Sequence, residues 1–285
     1  MRNRGVKKSI IIITAMFCIC FMPFSSQAAG STQAQGTETV KKEAFSPENG
    51  KVGLSPLKKK LQKEIKKHKG TWSVYVKNLD TNEYLLIQNK KLPSASLIKL
   101  YTMMTVYDKA SHKKFTLNKK NKRLLNRMIT VSSNEACNTL TKNLSGKKLF
   151  SDGKKQINRY CRKNGYFKTS FQVPMGKSSR KNVTSARDCG YALERMYRGT
   201  CVSKAYSKEM IKLLKKQTRR TKIPAGIPKN VKTANKTGET SFAENDAAIV
   251  YSRGADYIIV VMSYNGTNSV KGIQKISKLT YQYFN

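Results

Sequence analysis

Leu57, Leu61 and Ile65 recur every four residues behind Ser55-Pro56. That spacing predicts a helix with Ser55 as its cap, Pro56 in its first turn and Gly70 at its end. Two short runs rich in β-branched and aromatic residues follow, Trp72-Ser73-Val74-Tyr75-Val76 and Tyr84-Leu85-Leu86-Ile87. Asp80-Thr81-Asn82 stands between them as a turn, so the pair predicts a hairpin. Helical periodicity dominates from about Ser96 to Lys216, interrupted by the basic stretch from Lys113 to Arg123, which reads as a loop or a solvated helix face. Strand patterns return in Asp246 to Tyr251 and Tyr257 to Tyr264, joined by Arg253-Gly254-Ala255-Asp256, and a last helix fits Val270 to Tyr283. No internal repeat interrupts this order.

The order is helix and strands, then helices, then strands and helix. It predicts an α+β fold in which the two chain ends pair into one antiparallel sheet flanked by helices, while the middle forms an all-helical lobe. A site belongs where sheet and lobe meet.

The N-terminal pattern is of another kind. Arg2, Arg4, Lys7 and Lys8 precede an apolar run from Ile10 to Met22, and Ser26-Gln27-Ala28 offers small residues for cleavage after Ala28 or Ala29. This is the layout of a signal peptide over residues 1–29, so a secreted or envelope-associated protein is expected; an uncleaved membrane anchor is the alternative. Cys18 and Cys20 read as apolar filler within it. Residues 30–54, poor in large apolar groups, read as a flexible tether, which leaves 55–285 as the folded domain.

Charge narrows the partners. The chain carries 56 Lys+Arg against 16 Asp+Glu, a formal net charge of +40. Such a protein concentrates at polyanions. For an exported chain an anionic cell wall or membrane surface is the natural partner, and nucleic acid is not expected. A monomer is expected. Cys137, Cys161, Cys189 and Cys201 remain beyond the leader. Two disulfides, in any of three pairings, and four buried thiols are equally open readings. No Cys-x-x-Cys pair or Cys/His cluster calls for a metal, and no cofactor is implied. His68 and His112, the two histidines, read as solvated surface, and no Gly-x-Ser-x-Gly elbow is present.

The candidate chemistry lies in three motifs. Ser-x-x-Lys is cheap in a lysine-rich chain and recurs at Ser55, Ser111, Ser145, Ser151 and Ser178. Ser96-Leu97-Ile98-Lys99 differs in opening an apolar helix that runs through Leu100, Met103 and Val106. A serine there has backbone N–H groups and a favourable dipole beside it. Lys99, three residues on, shares its helix face and can take its proton if burial or a second cation, such as Lys236, lowers the amine pKa. Ser132-Ser133-Asn134 precedes another helix; the Ser132 hydroxyl can relay a proton, and the Asn134 amide can hold Lys99 and a substrate amide. Lys236-Thr237-Gly238 would present a cation and a hydroxyl from a strand edge to a substrate carboxylate. Gly238 admits a ligand to the backbone. The N–H groups of Ser96 and Glu239 would form an oxyanion hole.

These motifs, in this order, resemble those of the class A β-lactamases and the related penicillin-recognising serine peptidases. The likeness extends to Met128 through Asn138, to Ile223 through Pro228 and to Asn245 through Val250. It implies an acyl-enzyme on Ser96, activation by Lys99, proton passage by Ser132, and substrate binding by Asn134, Lys236, Thr237 and Gly238. It implies as substrate a β-lactam or a D-Ala-D-Ala-type peptide.

Three departures qualify the resemblance. Ser132 follows Ser96 by only 36 positions, which implies a trimmed helical lobe. Ser133 stands where the family usually has Asp. From Tyr166 through Lys181 there is no Asp or Glu, although the family normally places a water-activating glutamate in this loop. Gln172 can orient a water but cannot take its proton; Glu135, Glu239 and Glu244 are the remaining candidates. The family likeness favours β-lactam hydrolysis. The missing acid favours a slowly deacylating penicillin-binding protein or D,D-peptidase. A non-catalytic cationic wall-binding module is the alternative of a different class, and the intact Ser96, Lys99 and Lys236 argue against it.

Overall fold

The computed structural model describes residues 53–176 and 180–285. The segment expected to be a signal peptide and nearly all of the expected tether lie outside these residues, as does Ser178. Among the described residues, five strands form one antiparallel sheet in the order β2-β1-β7-β6-β5. They are β1 (Thr71–Asn78), β2 (Tyr84–Ile87), β5 (Lys232–Thr240), β6 (Ala243–Tyr251) and β7 (Tyr257–Tyr264). The N-terminal hairpin joins the C-terminal strands through β1 and β7, which pair from Thr71↔Tyr264 to Asn78↔Tyr257. The pairing of chain ends read from the sequence is therefore the architecture found.

Both faces of this sheet are covered, which is why β7 reads as an unbroken apolar run. Tyr257, Ile259 and Val261 face one core together with Trp72, Val74 and Val76; Ile258, Val260 and Met262 face the other. The first core is closed by α1 (Ser55–Ile65) through Leu57 and Leu61, and by α8 (Ser269–Phe284) through Ile273 and Ile276. The second core belongs to the helical lobe of α2 (Ile98–Ser111), α3 (Lys119–Thr130), α4 (Asn134–Asn143), α5 (Phe150–Lys163), α6 (Ala186–Tyr197) and α7 (Lys204–Lys215). Helix α2 is its axle. Every residue from Ile98 to Tyr107 is buried, so this helix has no solvent face over its first three turns.

Several local expectations change. Ser55 does not cap α1: it is the first helical residue, and Leu54 precedes it in a left-handed conformation without a side-chain cap bond. Burial of Leu54 and the bond from Gly53 N–H to the Tyr84 carbonyl at 3.0 Å set the direction of entry instead. The helix also ends early, at Ile65, and tightens through Lys67 and His68, whose N–H groups bond to Glu64 and Ile65. His68 is not solvated surface. Its ring lies 3.3 Å from the Glu64 carboxylate and 5.3 Å from the Trp72 ring, with 13% of the side chain exposed. The basic stretch after α2 divides into a loop and, behind the Asn118 cap, the solvated start of α3. All four cysteines among the described residues are free, buried thiols, so of the two open readings the unbridged one holds.

Candidate active site

A two-stranded ladder that the sequence did not announce delivers the chain to the site. In it β3 (Leu92–Pro93) pairs with β4 (Val183–Thr184), which follows the loop containing Gln172. Asn245 on β6 donates to the carbonyls of Pro93 at 3.0 Å and Ser94 at 3.2 Å, tying this lead-in to the sheet. Ala95 then takes a left-handed φ of 45°, and a single 3-10 turn, Ala95–Leu97, carries Ser96 onto the head of α2.

Lys99 projects one turn further on and is fully buried. Its Nζ lies 2.7 Å from Ser96 Oγ, 2.7 Å from the Ser132 carbonyl, 2.7 Å from Asn134 Oδ1 and 3.2 Å from Ser132 Oγ. Two of these partners, the carbonyl and the amide oxygen, can only accept. A neutral amine satisfies both with its two hydrogens and turns its lone pair toward the hydroxyls. Burial lowers the Lys99 pKa to about 8, opposed by the Cys137 thiol and helped by the positive charge of Arg219.

The Ser132 carbonyl reaches Lys99 because Ser132 adopts a left-handed φ of 59° between α3 and α4. Ser133 caps α4 by accepting from Ala136 N–H at 3.1 Å, a task that serine performs as well as the aspartate usual at this position. Asn134 thus sits in the first helical turn, directed at Lys99.

Lys236 comes from β5, the edge strand of the sheet, where Lys236, Thr237 and Gly238 pair with Ala247, Asp246 and Asn245. Its Nζ donates to Ser132 Oγ at 2.9 Å and to the Thr237 carbonyl at 2.8 Å. The Ser132 hydroxyl therefore bridges the two lysines. Complete burial pushes the Lys236 pKa well down, and the charge of Lys99 adds to this. The sequence reading offered Lys236 as the cation that lowers Lys99; the two amines share the Ser132 hydroxyl and repel each other, and Arg219 adds a further positive charge beside Lys99. Gly238 faces the nucleophile: a methyl group there would lie 2.9 Å from the Ser94 carbonyl and 3.1 Å from the Ser96 amide nitrogen.

The carboxylates proposed as replacement bases are held elsewhere. Glu135 pairs with Arg127 at 3.0 Å. Glu239 pairs with Arg219 and with the buried Lys222, which pull its pKa down against the desolvation that would raise it. Glu244 pairs with Lys222 at 2.7 Å. The Gln172 side chain is exposed and donates to Ser170 Oγ. Neutral amides shape the loop beside Asn134: Asn138 bonds both the N–H and the carbonyl of Met175, and Asn182 does the same for Val173. Arg219, Lys222, Asn138 and Asn245 escaped the sequence reading. Only Asn138 and Asn245 lay in segments that it singled out. Among the described residues no group of three or more His, Cys, Asp or Glu side chains could hold a metal ion.

Ser96, Lys99, Ser132, Asn134, Lys236, Thr237 and Gly238 thus come from α2, the α3–α4 junction and β5 to one place. The family model described as the beta-lactamase enzyme family matches residues 56–123 and 120–284. The chain belongs to this family.

Solved structures agree in fold. PBP-A superimposes with a TM-score of 0.75 at 22% identity, covering 82% of this chain and 98% of that one. A PBP-A variant in acyl-enzyme complex with penicillin G gives 0.74 at 22% identity, with the same 82% and 98% coverage. A beta-lactamase from Chitinophaga pinensis gives 0.72 at 18% identity over 81% of this chain and all (100%) of that chain. A search of curated protein sequences returns no match.

Proposed function

We propose that the protein is an exported serine hydrolase acylated on Ser96 by β-lactams and by D-Ala-D-Ala-type peptides, and that it releases the acyl group slowly. The observation that carries the acylation is the set of contacts around Lys99. Two obligate acceptors consume the hydrogens of the neutral amine and leave its lone pair for the Ser96 hydroxyl at 2.7 Å.

In this reading Ser96 Oγ attacks the substrate carbonyl carbon as its proton passes to Lys99. The oxyanion is met by the N–H groups of Ser96 and Glu239, with Gly238 leaving room for it. The proton then travels through Ser132 to the departing amide nitrogen. Lys236 and Thr237 hold the substrate carboxylate, and Asn134 holds its side-chain amide. Slow release follows from the missing base. The loop from 166 to 181 has no carboxylate, and Glu135, Glu239 and Glu244 are all neutralised by cations. A loop without a carboxylate offers no good proton acceptor for the water that must attack the ester.

Intact-mass spectrometry after mixing with a penicillin tests this. A +1 penicillin adduct that persists for hours, and is absent in Ser96→Ala, is the expected result. A transient adduct with hydrolysed product would make the protein a β-lactamase. No adduct in the wild type would sink the enzymatic reading and favour a wall-binding module.

A further inference from the structure

Away from Ser96 an open surface cavity of about 540 Å³ lies between α7 and the ends of α6 and β6. Its rim is cationic: Lys208, Lys212, Lys215 and Lys216 line it and are all exposed. Its floor is apolar: Tyr197, Ile211 and Tyr251 are half-buried, with the two rings 6.2 Å apart. Lys215 Nζ sits 4.2 Å from the centroid of the Tyr251 ring. No carboxylate lines the cavity; Asp256 lies behind it and accepts from the Tyr197 hydroxyl at 2.8 Å.

Helix stability explains part of this pattern. Lys212 and Lys215 in the last turn oppose the helix dipole. That reason does not reach Lys208, at the start of the second turn, nor the aromatic floor. Lys208, Lys212 and Lys216 stand four residues apart, which sets them at intervals of about 6 Å along one face of the helix.

We infer that this cavity is a docking site for a linear phosphodiester polymer with short polyol or sugar spacers, the kind of chain found in an anionic cell wall. Charges repeating every few ångströms meet the lysine row. The C–H faces of the spacers rest on Tyr197, Ile211 and Tyr251. A bilayer fits less well. Membrane-binding faces project large apolar groups, whereas these rings are recessed behind lysines. The exposed large hydrophobics among the described residues, Val131, Leu149, Phe167 and Tyr283, lie elsewhere. The inference concerns where the protein resides, is independent of the chemistry at Ser96, and gives the +40 net charge a specific point of contact.

The test uses the mature protein and a fluorescent poly(glycerol phosphate) oligomer, with affinity read by anisotropy at physiological salt. The Lys208→Gln/Lys212→Gln/Lys216→Gln variant is compared with Lys59→Gln/Lys60→Gln/Lys63→Gln, which loses the same charge from α1. The expected result is a loss of at least tenfold in affinity for the α7 variant and less than threefold for the α1 variant. Equal losses would reduce the binding to bulk charge and overturn the site, as would no binding by the wild type. Tighter binding to an oligodeoxynucleotide of equal charge, or to phosphatidylglycerol vesicles, would replace the proposed partner by nucleic acid or membrane. Penicillin acylation, measured on the same samples, reports folding of the variants and stands or falls separately.

Discussion

Lys236 donates to the Ser132 hydroxyl at 2.9 Å across 104 residues of chain, and the same oxygen lies 3.2 Å from Lys99. One hydroxyl therefore couples two buried amines, the first on the sheet edge and the second on the central helix. Two ammonium groups so placed repel each other, and each is disfavoured further by burial. The pair titrates as a unit, and both burial and mutual repulsion favour losing a proton from it.

A pH profile follows. The acylating form has Lys99 unprotonated, so the second-order rate of penicillin acylation should rise with pH through about 8 and level off above it. Arg219→Gln removes a positive charge that lowers the Lys99 pKa, so the midpoint should move to higher pH while the plateau is retained. Stopped-flow acylation from pH 6 to 10 reads both. An unmoved midpoint in Arg219→Gln would refute the role given to that charge.

Gly238 has no room for a side chain on the Ser96 side. Gly238→Ala places a methyl group 3.1 Å from the Ser96 amide nitrogen, in the space reserved for the oxyanion. Loss of one such donor costs about 10²–10³-fold in rate. Acylation should fall on that scale, and the melting temperature should fall with it, because the same methyl lies 2.9 Å from the Ser94 carbonyl and backbone must shift to admit it. Wild-type acylation by the variant would remove the oxyanion role from this backbone.

Four free thiols give a simpler forecast. Burial pushes the pKa of Cys201 up to about 11 and of Cys189 up to about 12, and raises those of Cys137 and Cys161 as well. Iodoacetamide should leave all four unmodified in the native protein and alkylate all four in urea without prior reduction. Reductant should not shift the melting temperature. A mass showing fewer than four modified thiols in unreduced urea would reveal a disulfide.

Asp246 lies fully buried behind Lys236, and burial raises its pKa to about 6, against the opposing charge of Lys222 and the bonds from Asn235 and the Ile223 N–H. A carboxyl with a raised folded pKa binds its proton more tightly in the native state, so its contribution to stability falls as pH rises from about 4 to about 6. Relative to Asp246→Asn, the wild type should lose on the order of 2–3 kcal/mol across that window. Urea denaturation of both proteins at pH 4.5 and 6.5 measures the difference. Parallel stabilities at the two values would contradict the shift.

Much of the fold could be read from the chain because its signals are local. The run Tyr257 to Tyr264 coincides with β7, and Ser269–Phe284 extends the expected last helix by one residue at each end. Ser96 and Lys99 share a helix face by spacing alone. Short elements were less legible. The ladder of β3 with β4 has only two residues in each strand, and its pairing spans helices α2 to α5. His68 was misread because nothing within four residues in sequence announces that Gly272, on α8, packs its backbone beside the imidazole.

The sequence by itself determined the longer elements, the pairing of the two chain ends and the candidates for the reacting groups, since periodicity and spacing act over a few residues. Tertiary structure alone decided their electrostatics. Burial lowers Lys99 and Lys236, Arg219 adds a further positive charge beside Lys99, Lys222 neutralises Glu239 and Glu244, and the four cysteines of the described residues stay unbridged. Each of these outcomes depends on which distant side chains share a water-excluded space. Charge interactions there strengthen as water is removed, and no local pattern encodes that removal.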